Sequence, residues 1–197
     1  MSERILLIRT GGTIDAIPYT DPQQPPEIVD TLKSSESLIM QTVRELPDHQ
    51  RVDEYIWGAW QENQFIKDSK LFTDDDMNAL ADIIKNDNHR MFVITHGTDA
   101  MVKNATMLQE RLVGSNKIVA FVGAMIPLSM RKEHGSDGVN SLGFSINNIA
   151  NQKPGVYVVG HDTHSKRLGF FDPSLVEKDR KASAVERLFT LKNSSGR

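Results

Sequence analysis

Three short segments combine hydroxyl, carboxyl and glycine residues in patterns that could perform chemistry. Residues 10–13 read Thr-Gly-Gly-Thr, residues 96–99 read His-Gly-Thr-Asp, and residues 123–127 read Gly-Ala-Met-Ile-Pro. Adjacent glycines let the backbone turn sharply and bring its N–H groups close to a ligand. A threonine hydroxyl becomes a nucleophile when a neighbouring base activates it. The first two segments could therefore form a site for nucleophilic attack, and the third could offer the carbonyl of Ala124 to a ligand.

Each of these residues also has a purely structural explanation. Asp99 could cap the helix that follows it, and His96 is more often a packed or hydrogen-bonded histidine than a catalyst. Asp68 and Ser69 add a carboxylate and a hydroxyl but could lie in a solvated loop, and Lys178 could be a solvated surface charge. The residues alone leave these alternatives open.

Residue types argue against several other chemistries. The chain contains no cysteine, which excludes disulfides, thiol nucleophiles and zinc–thiolate sites. Neither a dinucleotide-binding glycine motif nor a phosphate-binding loop is present. Residues 161–164, His-Asp-Thr-His, lack the third and fourth ligands of a zinc site, so we expect no metal. With 23 basic and 26 acidic residues, a net charge of −3, neither nucleic acid nor a membrane is an expected partner.

Short apolar runs alternate with amphipathic helical patterns along the chain. Strands are expected at residues 5–8, 51–57, 91–95, 117–122 and 156–159, and helices at 37–46, after Thr73, at 101–112 and at 139–149. Because fully apolar strands need cover on both faces of a sheet, this pattern predicts an α/β fold. We expect a doubly wound, mainly parallel sheet of about five parallel strands with helices on both faces, a Rossmann-like or flavodoxin-like layout. The segments that follow the strands would share one crevice.

The chain length of 197 residues is that of one domain. The apolar run at residues 5–8 is too short for a signal peptide, and no stretch is long enough to span a bilayer. We therefore expect a cytoplasmic protein. Residues 19–26 are polar and rich in proline, which predicts a surface loop.

The order and spacing of these segments resemble the bacterial-type L-asparaginase family. Residues 10–14 and 93–99 are similar to its two signature segments, and residues 122–127 are similar to its third. The similarity extends from about residue 5 to residue 189 and covers only the N-terminal domain of the long members. Residues 67–76 and 171–180 look more like the short branch, so we expect a single domain, residues 1–197, without the C-terminal domain.

The resemblance implies an amidohydrolase that converts L-asparagine to L-aspartate and ammonia, with L-glutamine as a poorer substrate and no cofactor. Thr10 resembles the nucleophile and Tyr19 the tyrosine of a mobile lid loop. Thr98, Asp99 and Lys178 resemble a triad that relays a proton. The substrate-binding residues that we expect are Gly11, Gly12, Asp68, Ser69, Gly97 and Ala124. The family also implies a homodimer or a homotetramer.

Several residues depart from the family pattern. Lys70 stands where long members place a glutamine or serine that touches the substrate, Ile126 replaces an arginine, and Ala100 replaces a threonine. Lys181 is a rival to Lys178 as the relay lysine. These departures and the missing second domain leave two alternatives open. One is an asparagine- or amino-acid-binding module with little or no catalysis, and the other is an amidase for a larger or substituted amide.

Overall fold

The computed structural model describes residues 3–15, 37–56, 68–130, 135–162, 164–178 and 189–191. Tyr19, the loop at residues 19–26 and Lys181 lie outside these ranges. The strands are β1 (Ile5–Arg9), β2 (Val52–Ile56), β3 (Met91–Thr95), β4 (Ile118–Val122), β5 (Gly155–His161), β6 (Leu168–Phe171), β7 (Val176–Lys178) and β8 (Phe189–Leu191). The helices are α1 (Leu38–Arg44), α2 (Asp74–Asn86), α3 (Met101–Arg111) and α4 (Asp137–Asn148). None of the helices in the described ranges is long and apolar enough to cross a bilayer.

Six strands form one sheet in the order β2-β1-β3-β4-β5-β6. Strands β1 to β5 are parallel, and β6 is antiparallel to β5. The predicted mainly parallel, doubly wound sheet is confirmed, while the edge strand β6 and the separate antiparallel pair of β7 and β8 were not anticipated. Since β2 and β3 lie on opposite sides of β1, the strand order reverses there, and ligands bind at such a switch point in open α/β sheets.

Both faces of the sheet are covered, because successive strand residues point to opposite sides. In β1, Leu6 and Ile8 belong to the core that includes α2 and α3. Ile5 and Leu7 belong to the core that includes α1 and α4. All five residues of β1 are buried. Burial on both faces explains why residues 5–8 form an unbroken apolar run.

The start of α2 follows the sequence prediction. The Thr73 hydroxyl accepts the N–H of Asp76, and the Asp76 carboxylate accepts the N–H of Thr73, forming a capping box. The predicted apolar stripe is buried and consists of Met77, Leu80, Ala81 and Ile84. Local capping and tertiary burial therefore agree, and they fix the segment just before α2 that carries Ser69.

Candidate active site

The first two chemical segments meet at the switch point of the sheet. Thr10 follows β1, and its N–H donates to the carbonyl of Thr95 at the end of β3, 3.2 Å away. Gly12 has a φ of +93°, and a Cβ added to it would lie 2.3 Å from the backbone nitrogen of Gly97. The two loops touch only because Gly12 has no side chain.

A buried ion pair fixes the turn that follows Thr10. The Arg9 guanidinium lies 2.7 Å from the Asp15 carboxylate and 3.0 Å from that of Glu54. The N–H of Asp15 donates to the carbonyl of Gly12, 3.0 Å away. Arg9 and Asp15 are both about 1% exposed, and breaking such a pair typically costs 3–5 kcal/mol, roughly, because one charge remains buried without compensation.

Lys178 joins Thr98 and Asp99 in one hydrogen-bonded group. Its ammonium nitrogen lies 3.0 Å from Oγ1 of Thr98 and 2.5 Å from Oδ1 of Asp99. The lysine side chain is only 13% exposed, so it is not a solvated surface charge. The capping alternative for Asp99 is wrong, since α3 has Ala100 at its N-cap and no side-chain cap.

The other oxygen of Asp99 binds a second lysine. Nζ of Lys70 lies 2.6 Å from Oδ2 of Asp99. The hydrogen bond from Lys178, followed by that from Lys70, lowers the pKa of Asp99 to about 2. Asp99 is therefore an anion at neutral pH, with an ammonium group against each oxygen.

Thr10 is fully buried and has different partners from Thr98. Its Oγ1 lies 2.7 Å from the carbonyl oxygen of Thr95 and 2.7 Å from Nδ1 of His96. Nε2 of His96 lies 2.8 Å from Nδ2 of Asn104. In the part of the chain that the structure describes, no hydrogen bond joins the Thr10 and Thr98 hydroxyls. Thr10 and Thr98 follow the carboxyl ends of the neighbouring strands β1 and β3. Each hydroxyl nevertheless has its own hydrogen-bonding partners.

The surroundings of His96 are apolar. The rings of Phe72 and Phe121 contact the imidazole edge-on, with centroids 4.6 Å and 5.4 Å away. Burial lowers the pKa of His96 to about 3, because an imidazolium would lose its hydration there. His96 is consequently neutral near pH 7.

Ser69 lies beneath the loop after β3. It is 2% exposed, and its Oγ accepts the N–H of Ala100 at 3.2 Å. A Cβ on Gly97 would lie 2.7 Å from that Oγ, so the close approach requires glycine. Asp68 caps the short turn Ser69–Leu71 by accepting the N–H of Lys70 at 2.9 Å. The hydroxyl of Ser69 thus retains a hydrogen that it can donate to a ligand.

The loop containing Ala124 is held by a residue that sequence analysis missed. The carboxylate of Asp137, at the start of α4, accepts the N–H groups of Met125 and Ile126, each at 3.0 Å. Burial raises the pKa of Asp137, and these backbone hydrogen bonds oppose the shift. The Ser-Asp pair at residues 136–137 is a helix-start signal that could have been noticed, whereas nothing in the sequence pattern singles out Asn104.

In the described part of the possible metal-binding segment, residues 161, 162 and 164, Asp162 binds backbone groups. The carboxylate of Asp162 accepts the N–H groups of His164 and Ser165, at 3.3 Å and 2.8 Å. Across the described ranges, no group of three or more histidine, aspartate or glutamate side chains could hold a metal ion.

Comparisons with known proteins show which family and which fold this chain resembles. A family model described as "Asparaginase, N-terminal" matches residues 4–178. The thermostable L-asparaginase from Thermococcus kodakarensis has a similar fold, with a TM-score of 0.69 and 20% identity, over 95% of this chain and 51% of that one. L-asparaginase I from Vibrio cholerae O1 biovar eltor str. N16961 also has a similar fold, with a TM-score of 0.66 and 23% identity, over 98% of this chain and 52% of that one. This chain spans about half the length of each, and no curated protein matches it.

Proposed function

Since the chain belongs to the asparaginase family, we propose that it hydrolyses the side-chain amide of L-asparagine to L-aspartate and ammonia. The observation that carries this proposal is the contact of Lys178 with both Thr98 and Asp99, next to the strand end that bears Thr10. A hydroxyl nucleophile needs a base, and we assign that role to Lys178, acting through its contact with Thr98. Lys178 is preferred to its rival Lys181 because of these two contacts.

The proposed reaction has two steps and uses no cofactor. Oγ1 of Thr10 bonds to the carboxamide carbon, its proton passes through Thr98 to Lys178, and the C–N bond breaks as ammonia leaves with a proton. Water then cleaves the acyl ester and restores the hydroxyl. In the resting state Lys178 donates hydrogen bonds to both partners, so it first releases a proton to solvent water, then accepts the proton of Thr10 through Thr98 and passes it to the leaving nitrogen. Asp99 holds the lysine in place through either state.

Backbone groups and Ser69 complete the proposed site. The N–H groups of Gly11, Gly12 and Thr98 stabilise the oxyanion, and loss of one such donor typically lowers kcat by about 10²–10³-fold. The hydroxyl hydrogen of Ser69 binds the substrate carboxylate. The remaining predicted contacts are with Asp68, Gly97, Ala124 and, outside the described residues, the lid residue Tyr19.

Ammonia release tests the proposal. We expect purified protein to release ammonia from L-asparagine faster than from L-glutamine, and Thr10→Ala to lose about 10³-fold or more in kcat. Thr106→Ala is the matched control, because the hydroxyl of Thr106 donates only to Val102 of its own helix. An inactive wild type would refute the enzymatic function, and a fully active Thr10→Ala would refute the nucleophile.

One observation favours a second candidate, an amidase for a substituted amide. Lys70 already occupies an oxygen of Asp99. By the family resemblance, Asp99 also meets the α-amino group of the substrate, in addition to its part in the triad. An amide whose α-nitrogen is absent or acylated would not have to displace this lysine. If so, N-acetylasparagine or succinamate would exceed L-asparagine in kcat/KM, and Lys70→Met would reverse that order. If the wild type binds asparagine tightly in calorimetry with no turnover of any amide, the chain is instead a binding module.

The assembly and the compartment remain predictions from the sequence. We expect a homodimer or homotetramer, because the family resemblance implies one and most soluble oligomers are symmetric homo-oligomers. We also expect the protein in the cytoplasm. Light scattering checks the assembly. A particle mass equal to the 22.1 kDa of one chain would contradict it.

A further inference from the structure

The buried hydrogen bonds around Thr10 form a chain whose proton positions depend on one carbonyl group. The carbonyl oxygen of Ser69 can only accept, so the Asn104 atom 2.9 Å away is the amide nitrogen, which has two hydrogens. The same nitrogen lies 2.8 Å from Nε2 of His96. Because an amide NH₂ only donates, Nε2 must accept. A neutral imidazole whose Nε2 accepts carries its proton on Nδ1.

All the described groups that face the ring of His96 favour its neutral form. The groups facing the ring are Thr10, Asn104, Phe72 and Phe121, and none of these four carries a charge. An imidazolium would also point its Nε2–H at the amide hydrogens of Asn104. The Nδ1–H tautomer is therefore the form that satisfies every hydrogen bond.

This tautomer directs a donor at the oxygen of Thr10. Nδ1–H of His96 donates to Oγ1, 2.7 Å away, while the Thr10 hydroxyl donates to the Thr95 carbonyl. A fixed N–H at a dry site stabilises negative charge that develops on its acceptor. We infer that His96 is a catalytic hydrogen-bond donor to the nucleophilic oxygen, and that Asn104 is the positioning residue that fixes its tautomer. The inference rests on the proposed role of Thr10.

The donor acts twice in the proposed reaction. During attack, the Thr10 O–H turns away from the Thr95 carbonyl, its proton leaves toward Thr98, and the Oγ1–C bond forms. During hydrolysis of the ester, the Oγ1–C bond breaks and Oγ1 regains a proton. Oγ1 carries negative charge in both transition states, and His96 keeps its own proton throughout. It therefore differs from the histidine of a Ser-His-Asp triad, which accepts the proton of the nucleophile.

Nitrogen NMR tests the tautomer without relying on activity. In protein labelled with ¹⁵N in histidine, His96→Asn identifies the His96 signals by their loss. We expect His96 to be neutral, protonated on Nδ1, and unchanged across the neutral pH range. A proton on Nε2, or titration within that range, would overturn the inference.

Kinetics test the donor. We expect His96→Leu and Asn104→Leu to lower kcat by about 10- to 100-fold with little change in KM, the loss expected for a hydrogen bond to a charged group. His96→Asn places an amide N–H where Nδ1–H was, so it should recover to within about 5-fold of the wild type. Asn148→Leu is the control, because it removes a side-chain bond to a helix carbonyl on the opposite face of the sheet.

Asn104→Asp distinguishes the donor role from simple packing. The carboxylate introduced at position 104 would accept a hydrogen bond from Nε2–H and raise the pKa of His96, so kcat should acquire a new pH dependence in the neutral range. If His96→Leu does not fold, His96→Asn and Asn104→Asp still decide. The inference fails if folded His96→Leu keeps kcat within about 2-fold, or if the pH profile of Asn104→Asp matches that of the wild type. A wild type that hydrolyses no amide refutes the catalytic role along with the proposed function, while the NMR result is unaffected.

Discussion

The carboxylate of Asp99 binds two ammonium groups that contribute unequally. The hydrogen bond from Lys178 is the largest cause of its lowered pKa, and that from Lys70 is second. Lys178 is 13% exposed and Lys70 61% exposed, so solvent weakens the second interaction more. At this residue, the mainly buried Lys178 is therefore the main partner of the carboxylate, and the exposed Lys70 is the weaker one.

Replacing each lysine tests this order. Lys178→Met should raise the pKa of Asp99 from about 2 toward the ordinary 3.8, and Lys70→Met should raise it by less, because its charge is better screened. A ¹³C titration of the Asp99 carboxyl carbon measures both shifts, with Lys103→Met on the exposed face of α3 as the control. A larger shift in Lys70→Met would contradict the assigned order.

At the scale of elements, the site depends on how closely the loops after β1 and β3 approach. Gly12 and Gly114 both have positive φ, +93° and +76°, but a Cβ on Gly114 would meet no atom within 4 Å. The two positions therefore share the backbone strain of a non-glycine residue and differ in the steric clash.

This difference predicts the result of two matched substitutions. Gly114→Ala should cost about 1–2 kcal/mol of unfolding free energy from backbone strain alone. Gly12→Ala should cost about 1–3 kcal/mol more, because its Cβ would overlap the backbone of Gly97. Urea unfolding measures both. Equal costs would mean that the two loops are not in contact in solution.

The elements were largely predictable, while the contacts between them were not. Burial on both faces makes β4 apolar along its whole length and β1 and β3 apolar up to their last residues, Arg9 and Thr95, and the cap at Thr73 is a local signal. The edge strand β6 is only half-buried and has no such signature. The signature segments drew attention to Thr10, Thr98 and Asp99. Asn104 acts through partners 8 and 35 residues away in the chain, and such a pairing exists only after folding.

At the scale of the whole molecule, a charge cluster lies at the amino ends of the strands, at the opposite end of the sheet from the site. Arg4 precedes β1, Asp53 lies in β2, and His89 precedes β3. The Arg4 guanidinium binds the Asp53 carboxylate, which lies 2.9 Å from Nε2 of His89, and Nδ1 of His89 lies 2.6 Å from the Asp87 carboxylate. This cluster holds together the amino ends of three adjacent strands.

The cluster predicts a pH dependence of stability. Burial lowers the pKa of His89, but its hydrogen bonds to Asp53 and Asp87 raise it by more, to a value above 6.5. Folding therefore favours the imidazolium, and this stabilisation is complete below pH 6.5 and lost as the pH rises through the folded pKa. The free energy of unfolding of wild type should exceed that of His89→Gln most at mildly acidic pH, and the gap should close at alkaline pH.

The acidic side of the pH–stability profile and a control variant test this prediction further. The pKa of Asp53 is lowered to about 2, chiefly by Arg4, so its own stabilisation is present above the ordinary 3.8 and is lost as the pH falls toward 2. Thr106→Ala, which removes no titratable group, is the control and should show no such closing gap. If the difference in unfolding free energy between wild type and His89→Gln instead widens with rising pH, the ring of His89 is neutral in the folded protein.

Peptide mapping by mass spectrometry, after acid quenching during turnover of L-asparagine, tests the central claim most directly. The account predicts an aspartyl ester on Thr10, in the peptide that follows β1. An ester on any other residue, or steady turnover with no esterified peptide, would contradict it.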